Sequence, residues 1–151
     1  MKTIIIGLGN PILGDDGVGW KVAEEVRRQL SPEPSVDIEF LSIGGISLME
    51  HLIGYHRAIV IDAIASEQAP GSIIVFDPME LLDVSAFHTT SAHDTSLQNA
   101  IKLGKSMGAD LPEQVTVVGI ATNPVFDFGE ELSLAVGGAI SKVAQIVIEL
   151  L

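Results

Sequence analysis

The sequence predicts an α/β fold: a three-layer α/β/α sandwich whose mostly parallel, twisted sheet has about five strands, one of them antiparallel, with helices on both faces. Three observations carry this. Short β-branched runs alternate along the chain with segments whose apolar residues recur at helical spacing. The runs are nearly continuous in Ile and Val, as in strands covered on both faces. One pair of runs is joined by about seven residues, too few for a parallel crossover, so its second member must run antiparallel, toward a sheet edge.

KTIIIG at 2–7 is the first strand, bounded by glycine, and the turn-rich LGNPILGDDG follows it. From Gly17 to Leu30 the residues Val18, Val22, Ala23, Val26 and Leu30 mark a helix, with Glu24 and Arg28 paired at i, i+4 on its outer side. Prolines and serines at 31–36 form a connection, and Asp37 to Ser42 is the second strand. A short helix over Ser47–Gly54 follows the Gly44-Gly45 turn, and RAIVIDA at 57–63 is a central strand. GSIIVFD at 71–77 is the antiparallel strand, and 78–94 has no periodicity. Thr95-Ser-Leu-Gln98 is a capping box opening a helix through Leu97, Ala100, Ile101, Gly104 and Met107. VTVVGIA at 115–121 is the last strand. A second capping box, Asp127 to Glu130, opens a final helix with Leu132, Val136, Ala139, Ile140, Val143, Ile146, Val147 and Leu150 on its buried face. No repeat or linker divides residues 1–151, so one domain is expected.

Composition removes whole classes of function. The chain has no cysteine, which excludes disulfides, a thiolate nucleophile and thiolate metal sites, so any metal must be met by His, Asp or Glu. A net charge of −12, with both halves acidic, opposes a nucleic-acid partner. Mean hydropathy is +0.43, yet no apolar run approaches the roughly 18 residues of a membrane span. Nor does the N-terminus read as a secretory signal, so a cytoplasmic protein is expected.

In open α/β sheets ligands collect at the carboxyl ends of the strands. That rule selects Asp15 and Asp16 after the first strand, Asp62 ending the third, and His93 and Asp94 before a helix. Asp62 terminates a run as apolar as AIVID and must reach solvent, a hydrogen-bond network or a cation. Two carboxylates and an imidazole are a workable donor set for a borderline divalent metal. Spacing alone leaves the ordinary alternatives open: a solvated turn or helix cap for Asp15 or Asp16, a hydrogen-bonded strand end for Asp62, a loop residue for His93. His51, His56 and His88 read as surface or helix residues. The glycine loop lacks the dinucleotide fingerprint, since Gly7-x-Gly9 is followed by Gly14 and not by glycine at position 12. There is no phosphate loop, G-x-S-x-G elbow or H-E-x-x-H zinc motif either.

GLGNPILGDDGVG at 7–19, the strand segment IVIDA containing Asp62, SAHD at 91–94, and LPEQVTVVGI followed by FGEELS together resemble the hydrogenase maturation endopeptidases. The resemblance covers nearly the whole chain. It implies a three-layer α/β/α fold and a single activity, the removal of a C-terminal extension from the large-subunit precursor of nickel-iron hydrogenase after nickel insertion. The family's metal-contacting positions fall here on Asp16, Asp62 and His93, which the resemblance implies as both metal-contacting and catalytic. On this reading the nickel is expected to be carried by the substrate and recognised by these residues, with no organic cofactor. Asp16 stands where some members have glutamate. SIGGISLM at 42–49 has Ile46 where relatives often carry a hydroxyl residue, and GIATN lacks the acid or glutamine often found after Gly-Ile.

Three other readings share some of these features. Peptidyl-tRNA hydrolase also begins with a strand and a GLGNP turn, but its Thr-Arg-His-Asn segment is missing and the acidic charge opposes tRNA. The same Asp/Asp/His set would serve a peptidase with its own zinc, or a non-catalytic nickel chaperone for hydrogenase assembly.

Overall fold

A computed structural model describes residues 1–80, 93–123 and 128–151, with the backbone alone described at 93–96. The strands are β1 (Thr3–Leu8), β2 (Val36–Leu41), β3 (Arg57–Ala65), β4 (Ile73–Phe76) and β5 (Gln114–Thr122). The helices are α1 (Val18–Gln29), α2 (Gly45–Leu52), α3 (His93–Ser106), α4 (Leu134–Gly137) and α5 (Ile140–Leu150), and a 3₁₀ turn at Gly14–Gly17 leads into α1. The five strands lie in the order β2-β1-β3-β5-β4, all parallel except β4, which pairs antiparallel with β5 at the edge.

Side-chain alternation along the strands sorts the core into two layers. Ile5 of β1 and Ile59, Ile61 and Ala63 of β3 pack with Val22 and Val26 of α1 and Val143 and Val147 of α5. The intervening residues, Ile4, Ile6, Leu8, Ala58 and Val60, pack on the opposite face with Leu48 and Leu52 of α2 and Leu97 and Ile101 of α3. The predicted three-layer sandwich is therefore the observed one, and the near-continuous apolar strands are explained by cover on both sides.

Four local expectations are corrected. Arg28 binds Glu25 at i, i+3, not Glu24; Gln29 donates to the same carboxylate at 2.7 Å, so Glu25 collects two donors while Glu24 faces solvent. α3 starts at His93, which puts Thr95 inside the helix and not at its cap, and Met107 falls beyond its end. Asp127 lies outside the described residues, and Phe128–Glu130 is not helical, because Gly129 bridges to Leu13. The last helix is accordingly two: α4 ends at Gly137-Gly138, where two weak helix formers adjoin, and α5 begins at Ile140. Of the aperiodic stretch 78–94, residues 81–92 lie outside the described residues. Among the described residues no helix is long and apolar enough to cross a membrane.

Candidate functional site

The sheet reverses its direction of winding between β1 and β3: the chain steps outward from β1 to β2 and then returns to β3 on the other side. α1, which follows β1, packs on one face of the sheet and α2, which leads into β3, on the other; in open α/β sheets that arrangement leaves a cleft at the carboxyl ends of the two strands. The loop after β1 lies over this point. Gly19, in the first turn of α1, is pressed against both strands; a Cβ there would sit 2.4 Å from the carbonyl oxygens of Leu8 and Ile61. No residue but glycine allows so close an approach.

The loop itself is folded tightly. Gly9 has φ +141°, and a Cβ on it would lie 2.0 Å from the Asp16 carbonyl oxygen. Asn10 makes an Asx turn, its Oδ1 accepting from Ile12 N at 3.2 Å, while Leu13 N donates to Asn10 O at 3.1 Å. This geometry turns Asn10 N–H toward Asp16, whose Oδ2 accepts it at 2.9 Å. Asp16 is 3 % exposed, and its other oxygen, Oδ1, is buried with no hydrogen-bond partner among the described residues. Neighbouring Asp15 does different work. Its two oxygens accept from Ser133 N at 2.7 Å and Ser133 Oγ at 2.8 Å, and so clamp the start of α4 to the loop. The acidic pair thus divides into a brace and a buried carboxylate.

Asp62 lies on the adjacent strand. Gly7 of β1 is in register with Ile61, so Asp62 is level with Leu8, the last residue of β1, and on its other side it faces Gly119 of β5. Its side chain is 1 % exposed. By the two-residue period it continues the Ala58, Val60 face, the one covered by α2 and α3. The 3₁₀ turn carrying Asp16 packs against β3.

His93 opens α3. The far end of that helix is tied to the amino-terminal edge of the sheet, where Gly54 N donates to Asp110 O at 2.9 Å and Glu113 N to His56 O at 3.1 Å. Fourteen helical residues rise about 20 Å, the length of a six-residue strand, so α3 begins at the carboxyl edge, on the face that Asp62 shares. The His93 and Asp94 side chains lie outside the described residues. Among the described residues no cluster of three His, Asp or Glu side chains is close enough to hold a metal ion. Of the remaining histidines, His51 contacts Glu39 at 2.9 Å and His56 accepts from Lys2 N, both away from the cleft, while His88 is outside the described residues.

The Asp15–Ser133 brace and the Asn10 N–H contact are supports of this loop that periodicity does not disclose. The only signal for either is the Asn-Pro turn. Away from the cleft, hydrogen bonds from Arg28 and then Gln29 hold the Glu25 carboxyl down at about 2, and the hydrogen bond to Asp37, with burial, pushes the Tyr55 hydroxyl up to about 12. The cleft therefore offers two buried carboxylates at a strand-order switch point, one with an oxygen still available, suited to receive a cation or to accept a proton.

Comparison with known proteins agrees with that architecture. The family model described as hydrogenase maturation protease matches residues 3–150. The hydrogenase expression/formation protein HupD of Rhizobium leguminosarum bv. viciae is 25 % identical over 150 residues, covering 99 % of this chain and 74 % of that one. Among solved structures, the hydrogenase maturating endopeptidase HybD from E. coli superposes with a TM-score of 0.83 at 22 % identity, over 99 % of this chain and 91 % of that one. The hydrogenase 2 maturation peptidase from Thaumarchaeota archaeon SCGC_AB-539-E09 gives a TM-score of 0.68 at 28 % identity, over 99 % and 97 %.

The fold and cleft define an α/β/α sandwich with its candidate site at the strand-order switch point. The chain belongs to the hydrogenase maturation protease family. That membership selects among the readings that a GLGNP turn and an Asp/Asp/His set leave open, and sets aside peptidyl-tRNA hydrolase and the non-catalytic chaperone.

Proposed function

We propose that this peptidase removes the C-terminal extension of a nickel-iron hydrogenase large-subunit precursor after nickel insertion, and that Asp16, Asp62 and His93 meet the nickel already seated in that substrate. The observation that carries the reading is Asp16: a carboxylate 3 % exposed at the strand-order switch point, with one oxygen held by Asn10 N–H and the other without a partner among the described residues. Such an oxygen is costly to bury unless a cation arrives to meet it. Asp62, on the neighbouring strand, supplies a second oxygen donor at the same edge, and α3 begins there with His93. With no cysteine in the chain, the protease contributes only oxygen and imidazole donors, so thiolates at the nickel belong to the substrate.

In this mechanism the nickel is the docking template. A precursor lacking it leaves the buried Asp16 carboxylate without a cation, and binding is weak; a loaded precursor supplies the positive charge and brings its scissile peptide into the cleft. A carboxylate not fully engaged by nickel takes a proton from the attacking water. The water oxygen bonds to the scissile carbonyl carbon, the C–N bond breaks and the amine leaves with the proton. The test is to incubate the protein with nickel-loaded and nickel-free precursor and follow C-terminal mass loss. Loss confined to the loaded precursor, and abolished in Asp16→Asn, Asp62→Asn and His93→Ala, is expected. Full cleavage by all three variants refutes it.

A further inference from the structure

The cleft has an apolar rim that the carboxylates do not explain. Ile12, Phe128 and Leu134 are 49 %, 86 % and 96 % exposed. Two separate segments bring them together. Gly129 N donates to Ile12 O and Gly14 N to Gly129 O, both at 2.8 Å, which zips the β1 loop to the chain beside Phe128. Asp15 then holds Ser133, the residue before Leu134, by two further hydrogen bonds. The rim is therefore braced in place, and it begins on the same loop, four residues before Asp16. Large apolar side chains left in water on a braced scaffold mark a surface that is covered by a partner. Between Phe128 and Leu134 stand Glu130 and Glu131, both exposed and neither in an ion pair among the described residues.

We infer that this rim is a substrate-docking surface, where Ile12, Phe128 and Leu134 receive an apolar segment of the precursor polypeptide and Glu130 and Glu131 receive Lys or Arg side chains flanking that segment. The inference rests on the function proposed above, since the partner is that reaction's substrate. Continuity with the Asp16 loop favours the substrate over any other partner: Ile12 stands four residues before Asp16, and Asp15 beside it holds Ser133, next to Leu134. The exposed acid pair selects for cationic neighbours and makes encounter salt-dependent.

The test is steady-state processing of nickel-loaded precursor by the wild-type protein, by Phe128→Ser/Leu134→Ser, and by Glu130→Gln/Glu131→Gln, at low and high salt. All four side chains are exposed, so both variants should fold, and circular dichroism checks this. Phe128→Ser/Leu134→Ser is expected to raise KM about tenfold or more while kcat stays within about twofold, the signature of lost binding away from the reacting bond. The glutamine pair is expected to raise KM at low salt and flatten its salt dependence. An unchanged KM in the serine variant overturns the proposal. So does a wild-type dimer that becomes monomeric in that variant with KM unchanged, since the rim would then join two copies of this chain. A wild-type protein that leaves the loaded precursor uncut overturns the proposed function and this inference with it, whereas normal wild-type cleavage with an unchanged variant KM overturns this inference alone.

Discussion

Replacing Asp16 by Ala and by Asn separates what the carboxylate does for the fold from what it does in the cleft. Asp16→Ala removes the Oδ2 acceptor and strands Asn10 N–H in a loop that Gly9 and Asn10 have already bent tight. A hydrogen bond to a charged group contributes about 1.5–3 kcal/mol, and for a protein of this size each kcal/mol moves Tm by about 2–4 °C, so a loss of about 3–12 °C is expected. Asp16→Asn keeps an oxygen for Asn10 N–H and puts a neutral amide where Oδ1 has no partner among the described residues. Losing the charge weakens the one bond but also removes a desolvated anion. The two effects oppose, and the expected change is within about 1 kcal/mol, or roughly 4 °C. Processing of nickel-loaded precursor should fall in both variants by about 100-fold or more, because alanine offers no donor atom and a neutral amide is a poor metal donor and a poor proton acceptor. Thermal melts and mass-resolved cleavage measure the two axes. An Asn variant that melts near wild type and still cleaves at wild-type rate would show that the buried charge has no role in the reaction; an Ala variant of undiminished Tm would refute the account of the loop.

Other consequences are as direct. Gly19→Ala gains about 1 kcal/mol of helix propensity but drives a Cβ into the backbone oxygens of Leu8 and Ile61, which cannot swing aside, so a net loss of about 2 kcal/mol in denaturant melts is expected; Gly137→Ala, whose Cβ among the described residues meets only Leu132 Cβ at 3.7 Å, should be neutral or stabilising. Asp15→Ala removes both bonds to Ser133, and amide exchange at Ser133 should accelerate while the sheet amides keep their protection. Tyr55 is the only tyrosine, so ultraviolet tyrosinate absorbance reads it alone. Its hydroxyl should titrate at about 12 in the folded protein and fall back toward 10 in Asp37→Ala. Because the folded pKa is the higher one, this group's contribution to stability is complete below pH 10 and is lost as pH rises through about 12.

Most of the architecture was legible in the residues. Continuous Ile/Val runs marked β1 and β3, the 3.6-residue recurrence of Val18, Val22 and Val26 marked α1, and the short connection before Ile73 required an antiparallel edge strand. Misreadings fell where two local signals were equally good. Arg28 reaches Glu25 as easily as Glu24, and a Ser/Thr/Asp-x-x-Glu/Gln pattern occurs inside helices and in turns as well as at caps. The final helix read as one because its apolar residues keep a single period across Gly137-Gly138, although the backbone there breaks it.

The amino-acid sequence by itself determined the element order, the acidic surface and, through the missing cysteines, the restriction to oxygen and imidazole donors. These depend on local periodicity and composition, which a linear chain carries openly. Tertiary structure decided that β1 and β3 are neighbours at the switch point, and so that a carboxylate at position 16 and another at position 62 share one edge. It also decided that Asp16 turns inward to Asn10 while Asp15 turns outward to Ser133, 118 residues away in the chain. Two adjacent aspartates are indistinguishable as letters. They differ only in what the folded chain brings within hydrogen-bonding reach of each.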